Sequence, residues 1–100
     1  MDISQMTILD LHLKKGWYNM IESGVKPEEY REDKPYWCKR LLNSDGTFKD
    51  YTHVRFHYGY TKRTMLWKIK GLKIGRGNPD WGASEDKDMF IIQLGQRVYE

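Results

Sequence analysis

The sequence predicts an α+β fold: a small, partly closed mixed β-barrel of five to six strands, with one or two short helices packed at its ends. Three observations lead there. Apolar and polar residues alternate along several short runs, the period of a strand with one buried face. That period gives way to helical spacing between Lys14 and Ser23. The chain has 100 residues, enough for one domain with one modest core, and its 14% aromatic content suits a small interior.

From Thr7 to Leu13 the alternation sets Leu9, Leu11 and Leu13 on one face and Ile8, Asp10 and His12 on the other, which predicts the first strand. Trp17, Met20 and Ile21 then recur at three and four residues, Gly16 weakens the helix slightly, and Gly24 is the expected stop. Lys26-Pro27-Glu28-Glu29-Tyr30-Arg31 reads as a turn entering a short strand. Pro35 to Leu42 suits a second short helix with proline at its first position, and Asn43-Ser44-Asp45-Gly46 is a turn signal. Tyr51 to Tyr58 alternates again, with Val54, Phe56 and Tyr58 on one face and His53, Arg55 and His57 on the other. Gly59 to Arg63 connects to the longest extended run, Thr64 to Ile74, where Met65, Trp67 and Ile69 face in and Lys68 and Lys70 face out. Gly71 marks a bulge or a barrel-closing bend. Gly75 to Gly82 is a glycine-rich loop without the spacing of a P-loop or a dinucleotide fingerprint. Met89 to Leu94 is a last strand, apolar on both faces through Phe90-Ile91-Ile92 and therefore central.

The net charge of +3 is mild but unevenly spread. No acidic residue falls between Asp50 and Asp80, whereas Arg55, Lys62, Arg63, Lys68, Lys70, Lys73 and Arg76 do. Such a segment predicts an electropositive face, for which polyanions are the natural partners; the plainer reading is solubilising charge on outward strand faces. No apolar run approaches membrane-spanning length, and Met1-Asp2-Ile3-Ser4-Gln5 lacks the basic flank and apolar core of a signal peptide, so the expected setting is the cytoplasm with no membrane partner. Cys38 is the only cysteine and reads as a small packing residue. His53 and His57 share a strand face but lie about 13 Å apart at strand rise. His12 stands alone, so no metal site and no cofactor is expected.

The chemistry gathers at Gly24 to Arg31. In a strand, Glu29 and Arg31 share one face while Glu28 and Tyr30 share the other, and the stem of Lys26 can swing from the turn to join Glu29 and Arg31. Ammonium, carboxylate and guanidinium together suit a polar or anionic ligand, and they equally suit a solvated ion-pair cluster.

Gly24-Val25-Lys26-Pro27-Glu28-Glu29-Tyr30-Arg31 resembles the G-x-K-x-x-E-x-R signature of the ASCH domain family. Leu11 to Ile21 looks like that family's first strand and helix, and the resemblance extends over nearly the whole chain. It is nearest to a small phage and bacterial subgroup, marked also by Lys34-Pro35-Tyr36-Trp37 and Gly77-Asn78-Pro79-Asp80-Trp81-Gly82. The resemblance implies a PUA-like barrel whose signature residues line a cleft for RNA or a nucleotide. Some small bacterial members resemble amidohydrolases that remove the acyl group of N4-acetylcytidine with a lysine, a threonine and a glutamate elsewhere, and ribonuclease activity is also attached to the family. Lys26 and Arg31 fall on the signature lysine and arginine. Glu29 falls where the amidohydrolases carry threonine, so the hydroxyl nucleophile is missing. Glu85 matches the remote glutamate only by order in the chain.

Three functions follow as expectations. As a binding module for RNA, a nucleotide or a modified nucleoside, the chain would use Lys26 and Arg31 in the cleft, with Arg63, Lys68, Lys70 and Arg76 on phosphates. Tyr60 and Trp81 would stack on bases, while Trp17, Trp37 and Trp67 fill the core. As a metal-independent hydrolase, acting on an acylated cytidine or on RNA, it would use Lys26 or Glu29 as general base and Arg31 to steady developing charge. The third is a protein-interaction factor of phage origin, whose partner the sequence does not specify.

Overall fold

The computed structural model describes residues 5–100, so the expectation attached to the first four residues lies outside the described part. Five strands and two helices follow one another: β1 (Ile8–Leu13), α1 (Lys15–Glu22), β2 (Glu28–Glu32), α2 (Pro35–Leu41), β3 (His53–Tyr58), β4 (Thr64–Gly75) and β5 (Met89–Val98). They build one sheet in the order β1-β3-β4-β5-β2. β1 runs parallel to β3 and every other neighbouring pair is antiparallel, giving a mixed half-barrel. The crossover from β1 to β3 carries α1, β2 and α2, and it delivers β2 to the far edge beside β5. The two edge strands, β1 and β2, therefore face each other across an open seam.

The predicted alternation decides what is inside. Leu9, Leu11 and Leu13 of β1, Val54 and Phe56 of β3, Met65 of β4, and Phe90 and Ile92 of β5 form the main core, closed by Tyr18 and Ile21 of α1 and Leu41 of α2. Burying each such side chain is worth about 1.5–3 kcal/mol, so this cluster dominates the stability. β5 is buried on both faces: Met89 and Ile91 pack on its outer side with Tyr30 and Ala83, beneath the loop that follows β4. The strand also runs on to Val98, four residues past the Leu94 expected from its apolar stretch, because it continues along β4 after a break in register.

Two irregularities in the β4–β5 ladder bracket Ile69 and give the sheet its bend. The first sets an extra residue into β5 and the second sets Lys70 as an extra residue in β4, ending at Gly71, where a bulge was expected. Past it, Leu72 rather than Gly71 faces the main core. At the end of α1, Gly24 takes φ +87°, a conformation that costs a glycine nothing. It turns the chain so that the Gly24 N–H donates to Ile21 O and the Lys26 N–H to Met20 O, both at 3.0 Å. The helix stop thus sets the position of Lys26.

Candidate functional site

The seam holds a cleft of about 570 Å³ between β1, α1, β2 and α2. Glu29 and Arg31 project from the inner face of β2, opposite Ile92 and Phe90 of β5, and line its floor. Trp17 of α1 and Trp37 of α2 form two of its walls, and His12, Lys14 and Lys34 lie around it. Three cations, Lys14, Arg31 and Lys34, face two carboxylates, Glu29 and Glu32, in the lining.

The three signature charges do converge, but at different depths. Glu29 sits between the two cations: its Oε1 is 3.2 Å from Lys26 Nζ and its Oε2 accepts from Arg31 Nη1. The Lys26 side chain is wholly buried, does not line the cleft, and donates to the backbone carbonyl of Trp81. Its ammonium also lies over the rings of Tyr30, 4.6 Å from the centroid, and Trp17, 5.3 Å away. Burial pulls its pKa below the ordinary lysine value, and the Glu29 carboxylate opposes that shift. Arg31 keeps a sixth of its side chain exposed, donates to Tyr30 O at 2.9 Å and to His12 O at 3.2 Å, and lies 5.1 Å from the Trp37 ring centroid.

The bonds to His12 and from Arg40 explain how a sheet with two free edges stays folded round the cleft. His12 O and Asp10 O point away from β3 on the free edge of β1; Arg31 donates to the first and Arg40 to the second, each at 3.2 Å. Two guanidinium groups close the seam where backbone pairing is lacking, and Trp37 lies against both, with Arg40 5.3 Å from its centroid.

The glycine-rich loop holds the buried lysine. Asn78 caps the short 3-10 helix Pro79–Trp81, accepting from the Asp80 N–H at 2.9 Å, and so aims the Trp81 carbonyl at Lys26. A Cβ on Gly77 would lie 2.4 Å from the Tyr30 ring and 2.6 Å from Ala83, and Gly82 takes φ +100° with its backbone against Trp17. On the outer face of β2, Tyr30 donates to Glu28 at 2.6 Å and accepts from the Asn78 N–H at 3.0 Å, which ties the loop to the strand. Burial raises the Tyr30 pKa and keeps the phenol protonated.

The other expected binding residues lie elsewhere. Tyr60 stands almost fully exposed and stacks on His12 at 4.8 Å, on the rim of the cleft. Trp81 contributes its carbonyl, while its ring packs on the Tyr30–Ala83–Met89–Ile91 cluster. Arg63 is bound to Glu22 at 2.7 Å and lies over Tyr58 and Tyr18, fastening α1 to β3. Arg76 pairs with Asp88 at 3.1 Å and donates to the carbonyl of Glu85; neither Arg76 nor Glu85 lines the cleft. Lys68 and Lys70 are exposed on the outer face of β4, the middle strand, away from the seam.

Two aromatic residues at the cleft were not foreseen there. Trp17 and Trp37 were expected in the core; both are half-buried and present part of a ring to the cleft, while Tyr18 takes the inward position on α1. His12 gains a neighbour: parallel register sets it opposite His57, with ring centroids 4.6 Å apart, and its Nδ1 bonds Gly59 O at 2.8 Å. Cys38 packs against the core as expected, and its thiol donates to Asp33, which pushes its pKa up. Among the described residues no group of three or more His, Cys, Asp or Glu side chains gathers to hold a metal ion, and no helix is long and apolar enough to cross a membrane. Comparison with protein-family models, with curated proteins and with solved structures found no match for this chain.

Proposed function

We propose that this chain is an ASCH-like, PUA-like domain that binds RNA or a nucleotide-like ligand in the seam cleft. The observation that carries the reading is the placement of Arg31, half-neutralised by Glu29 and lying against Trp37, in a cleft of about 570 Å³ that Trp17 also lines, within the size range of small-ligand sites. An aromatic wall takes the face of a base, and Lys14, with the N–H groups that Arg31 and Lys34 do not spend on Glu29, Tyr30 O, His12 O and Glu32, takes phosphate or base-edge acceptors. Glu29 offers an acceptor for an exocyclic amine. Lys26 serves this site from behind, holding the Glu29 carboxylate in place while Trp81 O fixes its own position.

The same geometry favours binding over nucleophilic chemistry by Lys26, whose amine is turned into the loop rather than toward the cleft. Hydrolysis remains a second reading on one observation: Glu29, 5% exposed and fixed between two cations, is a carboxylate that a water in the cleft would reach. Titration of single-stranded RNA and of nucleoside monophosphates by calorimetry tests the binding. Incubation with RNA and N4-acylated cytidines, followed by mass spectrometry, tests the hydrolysis. Binding without turnover is expected; turnover abolished by Glu29→Gln establishes the second reading, and neither binding nor turnover at low salt refutes both in favour of a protein partner.

A further inference from the structure

The lysines of β4 are a different surface from the cleft. β4 is the middle strand, two strands removed from each edge, so its outer face points away from the seam, and none of Lys68, Lys70 and Lys73 lines the seam cleft. The register puts all three on that face. Lys68 pairs with His53, opposite the core residues Val54 and Phe56, and Lys73 pairs with Ile91, which belongs to the outer cluster. Lys70 is the extra residue of the bulge, and a Cβ placed on Gly95 of β5 would lie 3.6 Å from Lys68 Cβ and 3.9 Å from Lys70 Cβ. The two lysines therefore flank a bare stretch of backbone on one side of the sheet. Without the bulge Lys73 would turn inward; the irregularity in the ladder keeps the stripe on one face.

The charges on this stripe are unmatched where others are not. Arg55, Arg63, Arg76 and Arg97 each pair with an acid from outside the acid-free segment, whereas Lys68, Lys70 and Lys73 make no ion pair among the described residues. The groups paired with them across the ladders carry no negative charge, and the acids on the same face are already engaged, Glu100 by Arg55 and Glu28 by the Tyr30 hydroxyl. His53 is buried and its pKa is lowered, first by burial and then by Lys68 itself; Arg55 is engaged by Glu100; Gln93 lies over Gly71.

We propose that the outer face of β4 is a second docking surface, independent of the cleft, which holds the phosphate backbone of single-stranded RNA through Lys68, Lys70 and Lys73 across the bare backbone at Gly95. Lysines two residues apart on one strand face stand about 7 Å apart, a spacing that lets successive phosphates each meet an ammonium. Such contacts position a strand without reading its sequence. Gly95 provides the sharper test, since its Cβ position meets only ordinary contacts and φ is not positive there, so that a side chain is accommodated in the gap.

Binding of an oligouridylate of about 20 nucleotides, followed by anisotropy as salt is raised, gives the slope of log K against log salt. Lys68→Gln/Lys70→Gln/Lys73→Gln is expected to flatten it by about 2, roughly 0.7 for each phosphate lost. Gly95→Glu should weaken binding about tenfold by setting a carboxylate between the lysines, and Gly95→Gln by no more than about twofold. Mononucleotide binding should be unchanged in all three variants. An unchanged slope, equal losses in Gly95→Glu and Gly95→Gln, or a parallel loss of mononucleotide binding overturns the proposal, as does wild-type binding to phosphatidylserine vesicles without binding to RNA. A wild-type protein that binds no mononucleotide sinks the cleft reading alone, since the RNA slope still decides this one.

Discussion

At the seam between β1 and β2, Lys26 has lost all contact with water, while on the outer face of β4, Lys68, Lys70 and Lys73 stand in it. Lys26 is held by Glu29, by a loop carbonyl and by two aromatic rings, and burial pulls its pKa down. The β4 lysines have no acidic partner among the described residues. Removing a buried charge strands its partner, whereas removing a hydrated one changes only the field around it. The two regions should therefore fail differently: the first in stability, the second in salt-dependent binding.

The largest expected effect is at Lys26. Lys26→Met leaves Glu29 buried with Arg31 alone and should cost about 3 kcal/mol, read as a fall in the urea midpoint, with part of the loss restored in Lys26→Met/Glu29→Gln. Lys68→Met should leave the midpoint where it is. Equal midpoints for the two single variants would erase the distinction. Next comes Gly77→Ala, whose Cβ has no room against Tyr30 and Ala83; overpacking of this kind costs about 1–3 kcal/mol. Because that loop aims the Trp81 carbonyl, ligand affinity in the cleft should drop with it, and RNA binding on β4 should not.

Trp37 and Trp67 form the third contrast. Both are half-buried, but only Trp37 lines the cleft. Trp37→Ala should lower nucleotide affinity about tenfold, within the 1–3 kcal/mol range for base stacking, while Trp67→Phe leaves affinity unchanged. Loss of affinity from Trp67→Phe alone would move the site. The smallest effect is one of pH. His53 is buried beside Lys68 and its pKa lies below the ordinary 6.5, so the unfolded chain binds more protons than the folded one between the two values. Stability should rise with pH across that window, flatten near 6.5, and lose this part of its pH dependence in His53→Gln. A fall in stability with rising pH that vanishes in His53→Gln would reverse the assignment.

Much of this architecture was legible because period-2 alternation is a local signal. Leu9, Leu11 and Leu13, then Val54 and Phe56, were each set on a common face and are buried. The Gly24 stop and the shared face of Glu29 and Arg31 follow from the same kind of local geometry. What could not be read depends on pairing between distant segments. No spacing reveals that β1 lies parallel to β3, which brings His12 beside His57, or that β2 goes to the opposite edge, which makes the seam. Trp17 was misjudged, and Trp37, which packs against the core as expected and also lines the cleft, was only half read, for a related reason. Helical spacing tells which residues share a stripe, but whether the stripe's flank meets core or cleft depends on what packs beside it. The acid-free segment had a comparable limit: three of its arginines take acids from elsewhere in the chain, which composition alone cannot show.

Lys26, Glu29 and Arg31, first legible as three charges near a turn, are a buried strut, a fixed carboxylate and a seam-closing guanidinium. The central claim is that the cleft they shape binds a nucleotide between Trp17 and Trp37. Titration of a nucleoside monophosphate into 15N-labelled protein, following the four indole N–H resonances, tests it most directly. Saturable shifts of the Trp17 and Trp37 indoles, with that of Trp67 still, are the expected result. Saturable shifts confined to Trp67 and Trp81, or no shift at millimolar ligand, would contradict it.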